Sequence, residues 1–207
     1  MTIYERDPAR TALLIIDAQR EYFDADGALF TEHAAEILDN LLALLDAARS
    51  AGARVIFVRH VQAADGSDTG RMGDFDDAAS FVAGTRGVEI VPQLAPREDE
   101  PIVDKTRYSA FVNTRLESIL KTWGTDTVLI TGLMTQYCCV TTARHAHDLD
   151  YRVIFVADAN AGPDLPDLGF GEVPHTDALR VIATALAAGI ADVTDTRALI
   201  AALAGAA

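Results

Sequence analysis

The sequence predicts an open α/β fold in which a mainly parallel sheet of six strands lies between helices on both faces. Two observations lead to this fold class. Short runs rich in Val and Ile are almost continuously apolar, as in strands that are buried on both faces of a parallel sheet. Stretches with apolar residues at helical spacing alternate with these runs. Such alternation is typical of βαβ crossovers, which place helices over a sheet.

The predicted elements follow one another in chain order. The strands are expected at residues 12–16, 54–58, 102–104, 127–131, 152–157 and 191–194. The helices are expected at residues 32–51, 114–123, 135–149, 176–188 and 195–203. In the first helix, Ile37, Leu41 and Leu44 repeat at helical spacing, and Gly52 ends the pattern. Gly124 ends the second helix in the same way.

Two long segments interrupt the alternation and are predicted to form lid-like loops. Residues 61–100 and 158–174 are rich in Gly, Asp and Pro, and the first of them has a short helix expected near 76–82. Each begins after a strand, at the sheet edge where open α/β folds bind ligands. Long loops in a compact domain are commonly functional. With no internal repeat, the length fits a single domain over residues 1–207.

Composition excludes several classes of protein. The formal net charge is −14, whereas binding to a nucleic-acid backbone requires clustered positive charge, so we expect no nucleic-acid partner. No stretch reaches the roughly 18 apolar residues of a membrane span, and the start of the chain does not resemble a signal peptide. The only two cysteines are adjacent, which disfavours a disulfide and favours a reducing compartment. We therefore expect a cytoplasmic protein that does not bind membranes.

Polar residues follow the predicted strands and are the first candidates for chemistry. They are Asp17, Arg59, His60, Asp104, Lys105 and Asp158. Because the ends of parallel strands point the same way, these side chains can converge on one crevice. Each of them alone also fits a turn or cap role, and this alternative weighs most for His60.

Cys138 lies at the start of the helix that follows the fourth strand. We expect Gly132 to break the strand and Thr135 to cap the helix, so that Cys138 falls in the first helical turn. There the helix dipole and free N–H groups favour the reactive thiolate and a lowered thiol pKa. The alternative is that the cysteine is a small hydrophobic residue in a core helix.

Three motifs in these positions resemble those of the isochorismatase-like hydrolases. The first is Asp17-Ala18-Gln19, followed by Tyr22-Phe23. The second begins at Lys105 and runs to Phe111. The third is Gly132-x-x-Thr135-x-x-Cys138, followed by Thr142 and Arg144. Their order and spacing match the family, and the resemblance covers residues 11–195, closest in type to the N-carbamoylsarcosine amidases.

The resemblance implies a Rossmann-like hydrolase domain with a catalytic triad of Asp17, Lys105 and Cys138. It also implies a non-proline cis peptide at 133–134, and it places Cys139 in packing. Cys138 would then attack an amide or carbamoyl carbon, with the backbone N–H groups of Met134 and Cys138 as the oxyanion hole. We expect substrate contacts from a further group of side chains near these motifs: Gln19, Tyr22, Phe23, Arg107 and Tyr137. A homodimer or homotetramer is expected.

One departure from the nicotinamidases of this family bears on function. Nicotinamidases carry an Asp-x-His metal motif after the second strand, where this chain has Arg59-His60-Val61. We therefore expect no metal, no other cofactor and an activity other than nicotinamidase. One alternative is a vinyl-ether hydrolase that uses Asp17 without the cysteine. Another is a non-catalytic Rossmann-type protein that binds a small molecule, although the loop after the first strand lacks a dinucleotide fingerprint.

Overall fold

The computed structural model of the chain describes residues 7–75 and 80–205 and centres on a six-stranded sheet. Its strands are β1 (Thr11–Ile16), β2 (Arg54–His60), β3 (Ile102–Lys105), β4 (Thr127–Leu133), β5 (Arg152–Ala161) and β6 (Asp192–Thr194). They lie in the order β3-β2-β1-β4-β5-β6, and each neighbouring pair is parallel. The predicted fold class is confirmed.

Seven α-helices and several shorter turns connect the strands of the described chain. The helices are α1 (Arg20–Phe23), α2 (Glu32–Glu36), α3 (Leu38–Ala51), α4 (Leu116–Thr122), α5 (Val140–Asp148), α6 (His175–Ala187) and α7 (Thr196–Gly205). A π-helical turn, Thr135–Cys139, leads into α5. The 3-10 turns are Pro8–Arg10, Gly70–Asp74, Arg86–Val88 and Pro92–Leu94.

The core consists of two apolar layers, one on each face of the sheet. In β1, Leu13 and Ile15 face α3 and α7, whereas Leu14 and Ile16 face the layer that contains α4 and α5. All six residues of β1 are buried, which is why the strand reads as continuously apolar rather than alternating. This central position fixes the carboxyl end of β1 in the middle of the sheet edge.

Several element boundaries differ from the prediction. The helix expected at 32–51 divides at Ile37, whose φ of −92° and ψ of −8° interrupt the helix. The break expected at Gly132 is wrong, because β4 continues to Leu133. Gly132 has a φ of +116°, and a Cβ there would stand 1.9 Å from the carbonyl oxygen of Ile16. Gly132 thus lets β1 and β4 stay in close register up to the point where the polar residues begin.

The loop regions are described in part. The short helix expected near 76–82 falls mostly outside the described residues. The segment expected as a loop from 158 is shorter than predicted, because β5 extends to Ala161. In the ranges that the structure covers, no helix has the length and apolar character needed to cross a membrane.

Candidate active site

The structure brings Asp17, Lys105 and Cys138 together at the carboxyl edge of the sheet. Asp17 follows β1, Lys105 is the last residue of β3, and Cys138 lies in the π turn after β4. The Lys105 Nζ atom is 2.7 Å from Asp17 Oδ2 and 3.2 Å from Cys138 Sγ. None of the three residues is more than 2% exposed. The ammonium of Lys105, the carboxylate of Asp17 and the thiol of Cys138 therefore lie together in one buried cluster.

The backbone at Asp17 turns sharply to present its carboxylate. Its φ is +50°, a left-handed conformation that Asp tolerates better than most residues. The turn is fixed by the Asp17 N–H, which donates to the Val58 carbonyl at 2.9 Å, and by the Gln19 N–H, which donates to the Asp17 carbonyl at 2.7 Å. Both carboxylate oxygens are buried without a well-oriented hydrogen bond from the described residues, so ion pairing with Lys105 is their main interaction.

The ion pair sets the charge states of Asp17 and Lys105. Burial raises the pKa of Asp17 above its ordinary value of 3.8, although the ammonium of Lys105 opposes the rise. Burial also acts to lower the pKa of Lys105, but attraction to Asp17 and Cys138 outweighs it and holds that pKa above 10.5. Lys105 is therefore a cation at neutral pH, and Asp17 is a carboxylate that accepts a proton more readily than an exposed one.

The expected lowering of the Cys138 pKa does not occur. Burial raises the pKa of this thiol to about 12, Lys105 lowers it only in part, and Asp17 raises it further. The local geometry also differs from the prediction, because Thr135 provides no cap and its buried hydroxyl lacks a hydrogen bond in the described structure. Burial outweighs the helix terminus here, so Cys138 rests as a thiol and would need a base to react as a nucleophile.

His60 is a site residue that sequence reasoning undervalued. It is fully buried, and its Nδ1 accepts a hydrogen bond from Lys105 Nζ at 3.2 Å. Burial, followed by the charges of Lys105 and Arg107, lowers the pKa of His60 to about 2. The ring is thus a neutral acceptor that helps to hold the ammonium in place. Its position at the end of β2 was the only signal in the sequence.

The same groups include potential metal ligands. One ligand atom each of Asp17, His60 and Cys138 lies within 4.8 Å of the others. The Lys105 ammonium is in direct contact with all three residues, and its positive charge would repel a cation placed among them. The donor set of this trio therefore fits an ammonium better than a metal ion. Metal independence stays a prediction.

A cavity of about 210 Å³ leads from solvent to Cys138. Aromatic side chains form much of its wall, and among the predicted substrate-binding residues Tyr22 and Tyr137 line it. Met134 and Cys138, whose N–H groups are the predicted oxyanion donors, also line it. The Leu133–Met134 peptide is cis, as the family resemblance implied.

Three predicted substrate-binding residues are not among the described residues that line this cavity. Gln19 is fully buried, and its side-chain amide donates to the carbonyls of His60 and Val88 and accepts from the His60 N–H. Arg107 donates to the carbonyls of Asp68, Thr69 and Thr106. Phe23 packs against the core. Sequence reasoning located these residues near the site, but their contacts in the structure are to the protein itself.

The remaining strand-end residues have structural partners. Arg59 and Asp104 form a bidentate pair at 2.8 Å on the exposed edge of the sheet. Asp158 accepts hydrogen bonds at 2.8 Å from the N–H and the hydroxyl of Thr196 at the start of α7. Asp158 therefore follows the cap interpretation, whereas Arg59 and Asp104 lie within β2 and β3 and form an ion pair between the two strands.

Phe81 and Glu21 were not singled out from the sequence, yet they shape the cavity. Phe81 has a φ of +56°, an unusual backbone conformation for a bulky residue. Its N–H donates to Glu21 Oε1 at 3.1 Å, and its ring stacks on His60 with centroids 4.5 Å apart. Its ring also meets Tyr22 edge to face at 5.6 Å. Strained conformations of this kind, with a positive φ at a bulky residue, cluster at active sites and ligand-binding sites.

The chain is similar in sequence to known proteins of one family. The isochorismatase domain family model matches residues 11–197. Nicotinamidase 3 of Arabidopsis thaliana is 36% identical over 161 residues, which cover 76% of this chain and 77% of the relative. Ureidoacrylate amidohydrolase RutB of Agrobacterium fabrum is 30% identical, with 76% of this chain and 79% of the relative covered.

A solved structure has the same fold as this chain. The crystal structure of a cysteine hydrolase from Pseudomonas syringae pv. phaseolicola superposes with a TM-score of 0.95 at 38% identity, covering 99% of this chain and 97% of the other. The fold, the sheet-edge site and the family model lead to one assignment: the chain belongs to the isochorismatase family of hydrolases.

Proposed function

We propose that this protein hydrolyses the C–N bond of a small amide or carbamoyl compound through a thioester on Cys138. The observation that carries the proposal is the buried contact of Asp17, Lys105 and Cys138 at the end of the cavity. The amidohydrolase activities named for two relatives support the reaction class. A thiol facing a carboxylate base is suited to acyl transfer.

In the first half of the reaction, Asp17 removes the proton from Cys138 as sulfur attacks the substrate carbonyl carbon. The C=O π electrons move to oxygen, and the N–H groups of Met134 and Cys138 donate to that oxyanion. Each such donor contributes about 3–4 kcal/mol of stabilisation to the transition state. The tetrahedral intermediate then collapses, and Asp17 returns the proton to the departing nitrogen. The products of this half are ammonia or an amine, and an acyl thioester on Cys138.

In the second half, water replaces the amine. The oxygen of water attacks the thioester carbon while Asp17 accepts a proton from that water. Collapse of the second intermediate breaks the C–S bond, and Cys138 regains the proton from Asp17. The raised pKa of Asp17 suits both halves, because a more basic carboxylate abstracts a proton more readily and the acid formed still donates it.

Lys105 acts through its charge. It stabilises the ionised form of Asp17 between turnovers and the thiolate of Cys138 during attack. His60 keeps the ammonium in position from a third side. We place His60 as a positioning residue, because it contacts the ammonium rather than the nucleophile in the described hydrogen bonds.

The test is release of ammonia from a panel of small amides, ureas and carbamoyl amino acids, nicotinamide among them. The wild type should turn over at least one member, and Cys138→Ala should abolish that turnover while unfolding at a similar temperature. Rapid acid quench of the wild type should yield protein carrying the acyl mass on Cys138. A vinyl-ether hydrolase that uses Asp17 alone would keep its activity in Cys138→Ala, and that result would reject the thioester route.

The assembly and location of the protein belong to the same proposal. We propose a homodimer or homotetramer in the cytoplasm, with a small molecule as the partner of the site. Light scattering with size-exclusion chromatography measures the assembly directly. A monomer at micromolar concentration would contradict it.

A further inference from the structure

We infer that the acyl group of the substrate is uncharged, apolar and no larger than about one ring. This inference rests on the proposed amide hydrolysis and narrows its substrate class. It excludes ureido acids and carbamoyl amino acids, because these compounds carry a carboxylate. It comes from the chemistry of the cavity wall rather than from the triad.

The wall is apolar on most sides of the nucleophile. Of the eleven described residues that line the cavity, five are aromatic and three are aliphatic. The other three are Cys138, the neutral ring of His60 and Ser80. The cavity volume of about 210 Å³ lies below the roughly 300–1,000 Å³ of typical ligand pockets, which corresponds to a small substrate.

Cations near the cavity are already engaged. No Lys or Arg is among the described lining residues. Lys105 is surrounded by Asp17, Cys138 and His60, and the guanidinium of Arg107 donates to backbone carbonyls of the adjoining loop. A carboxylate entering this cavity would lose water without gaining a cationic partner among the described lining residues, which strongly disfavours its binding.

The aromatic residues also favour a flat acyl group. Phe81 stacks on His60 with an interplanar angle of 12°, and Tyr108 stacks on Tyr137 at 24° with centroids 5.2 Å apart. Both stacks contribute to the cavity wall. A planar ring can make offset or edge contacts with such walls, as aromatic pairs do in protein cores.

The first experiment compares three amides that share a ring: benzamide, 3-acetylbenzamide and 3-carbamoylbenzoate. The acetyl group matches the carboxylate in size and shape without its charge. We expect kcat/KM of the wild type for 3-carbamoylbenzoate to be at least 100-fold below that for 3-acetylbenzamide. Calorimetric binding of the same compounds to Cys138→Ala should follow the same order and does not depend on turnover.

The second experiment introduces the missing charge. Met72 lines the cavity and is only partly buried, so a longer polar side chain can be accommodated there. Met72→Lys should bind 3-carbamoylbenzoate at least tenfold more tightly than the neutral control Met72→Gln does, both in the Cys138→Ala background. Equal binding by the two variants would contradict the argument from charge.

The outcomes separate the inference from the proposed function. If Cys138→Ala binds the neutral amides preferentially but the wild type hydrolyses none of them, the proposed function fails and the cavity assignment stands. If the wild type hydrolyses amides but prefers 3-carbamoylbenzoate, the inference fails and the proposed function stands. If no neutral amide binds, the inference is overturned.

Discussion

Replacing Asp17 with Asn should make Cys138 react faster with an alkylating reagent and more slowly with an amide substrate. Asn keeps the size of the side chain but removes both its negative charge and its capacity as a base. In the resting protein that charge destabilises the thiolate, since Asp17 raises the pKa of the thiol. In the proposed reaction the same group accepts the thiol proton. Alkylation by a reagent that needs only a thiolate should therefore accelerate, whereas amide hydrolysis should slow.

The size of the first effect follows from the geometry. The ligand atoms of Asp17 and Cys138 lie within 4.8 Å of each other, and two unit charges at that distance repel by about 3 kcal/mol at an effective dielectric constant of about 20. Removing this repulsion raises the thiolate population about 100-fold. A less basic thiolate is also a weaker nucleophile, which offsets roughly tenfold of the gain. Alkylation of Cys138 should thus be about tenfold faster in Asp17→Asn.

The thiolate of the variant has a counter-ion already in contact. Lys105 Nζ is 3.2 Å from Cys138 Sγ, and without the carboxylate its charge is free to pair with sulfur. Hydrolysis should nevertheless fall by about 10²- to 10⁴-fold, the usual effect of losing a general base. Both rates are measured at one pH in a Cys139→Val background, with iodoacetamide alkylation followed by mass spectrometry and hydrolysis by ammonia release.

Asp104→Asn is the matched control. Asp104 is also a strand-end carboxylate, next to Lys105 in sequence, but it pairs with Arg59 on the exposed edge of the sheet. Its replacement should alter both rates by less than about twofold. Slower alkylation of Cys138 in Asp17→Asn would mean that the carboxylate promotes the resting thiolate, and the electrostatic argument would be refuted. Unchanged hydrolysis would remove Asp17 as the base.

Four further outcomes test other parts of the structure. Gly132→Ala should lower the free energy of unfolding in urea by more than about 3 kcal/mol, because its Cβ would meet a β1 carbonyl, whereas Gly189→Ala, in open space, should leave it nearly unchanged. Since burial raises the pKa of Asp17, kcat/KM should fall in acid with a midpoint above pH 3.8, and a midpoint below that value would contradict the raised pKa. Cys139→Val, a conservative change in the core, should cost less than about 1.5 kcal/mol of stability and keep most of the activity, and a variant without turnover would show that Cys139 does more than pack. Activity should survive dialysis against a strong chelator, and a loss reversed by zinc or iron would show a metal requirement.

The position of the site could be predicted because it depends on topology. Alternating strands and helices require parallel pairing, and parallel pairing brings Asp17, His60 and Lys105 to one edge. The spacing after β4 then places Cys138 against them. None of this needs side-chain detail, so the sequence predicts that the strand ends converge, whereas the choice of Asp17, Lys105 and Cys138 among the candidates rests on the family resemblance.

The pKa of Cys138 could not be predicted because burial is a tertiary property. A position near a helix terminus is visible in the sequence and favours the thiolate, but the depth at which the turn packs is not visible. In the folded chain Cys138 is 2% exposed, and desolvation outweighs both the local dipole and the nearby ammonium. Gln19 and Arg107 illustrate the same limit, since a motif gives their position but the loops that they bind decide where they point.

The positive charge of Lys105 offsets the repulsion between negative charges on Asp17 and Cys138. An ionised Asp17 and a thiolate at Cys138 would repel each other in a buried site, and a neutral His60 contributes only a lone pair. An ammonium has three protons to donate, and its nitrogen has these three neighbours at 2.7, 3.2 and 3.2 Å. Because its charge is paired with Asp17 and its pKa is held above the ordinary value, the amine stays protonated and has no free lone pair for the substrate. Lys105 therefore serves the proposed reaction as a fixed positive charge, which leaves proton transfer to Asp17 and bond formation to Cys138.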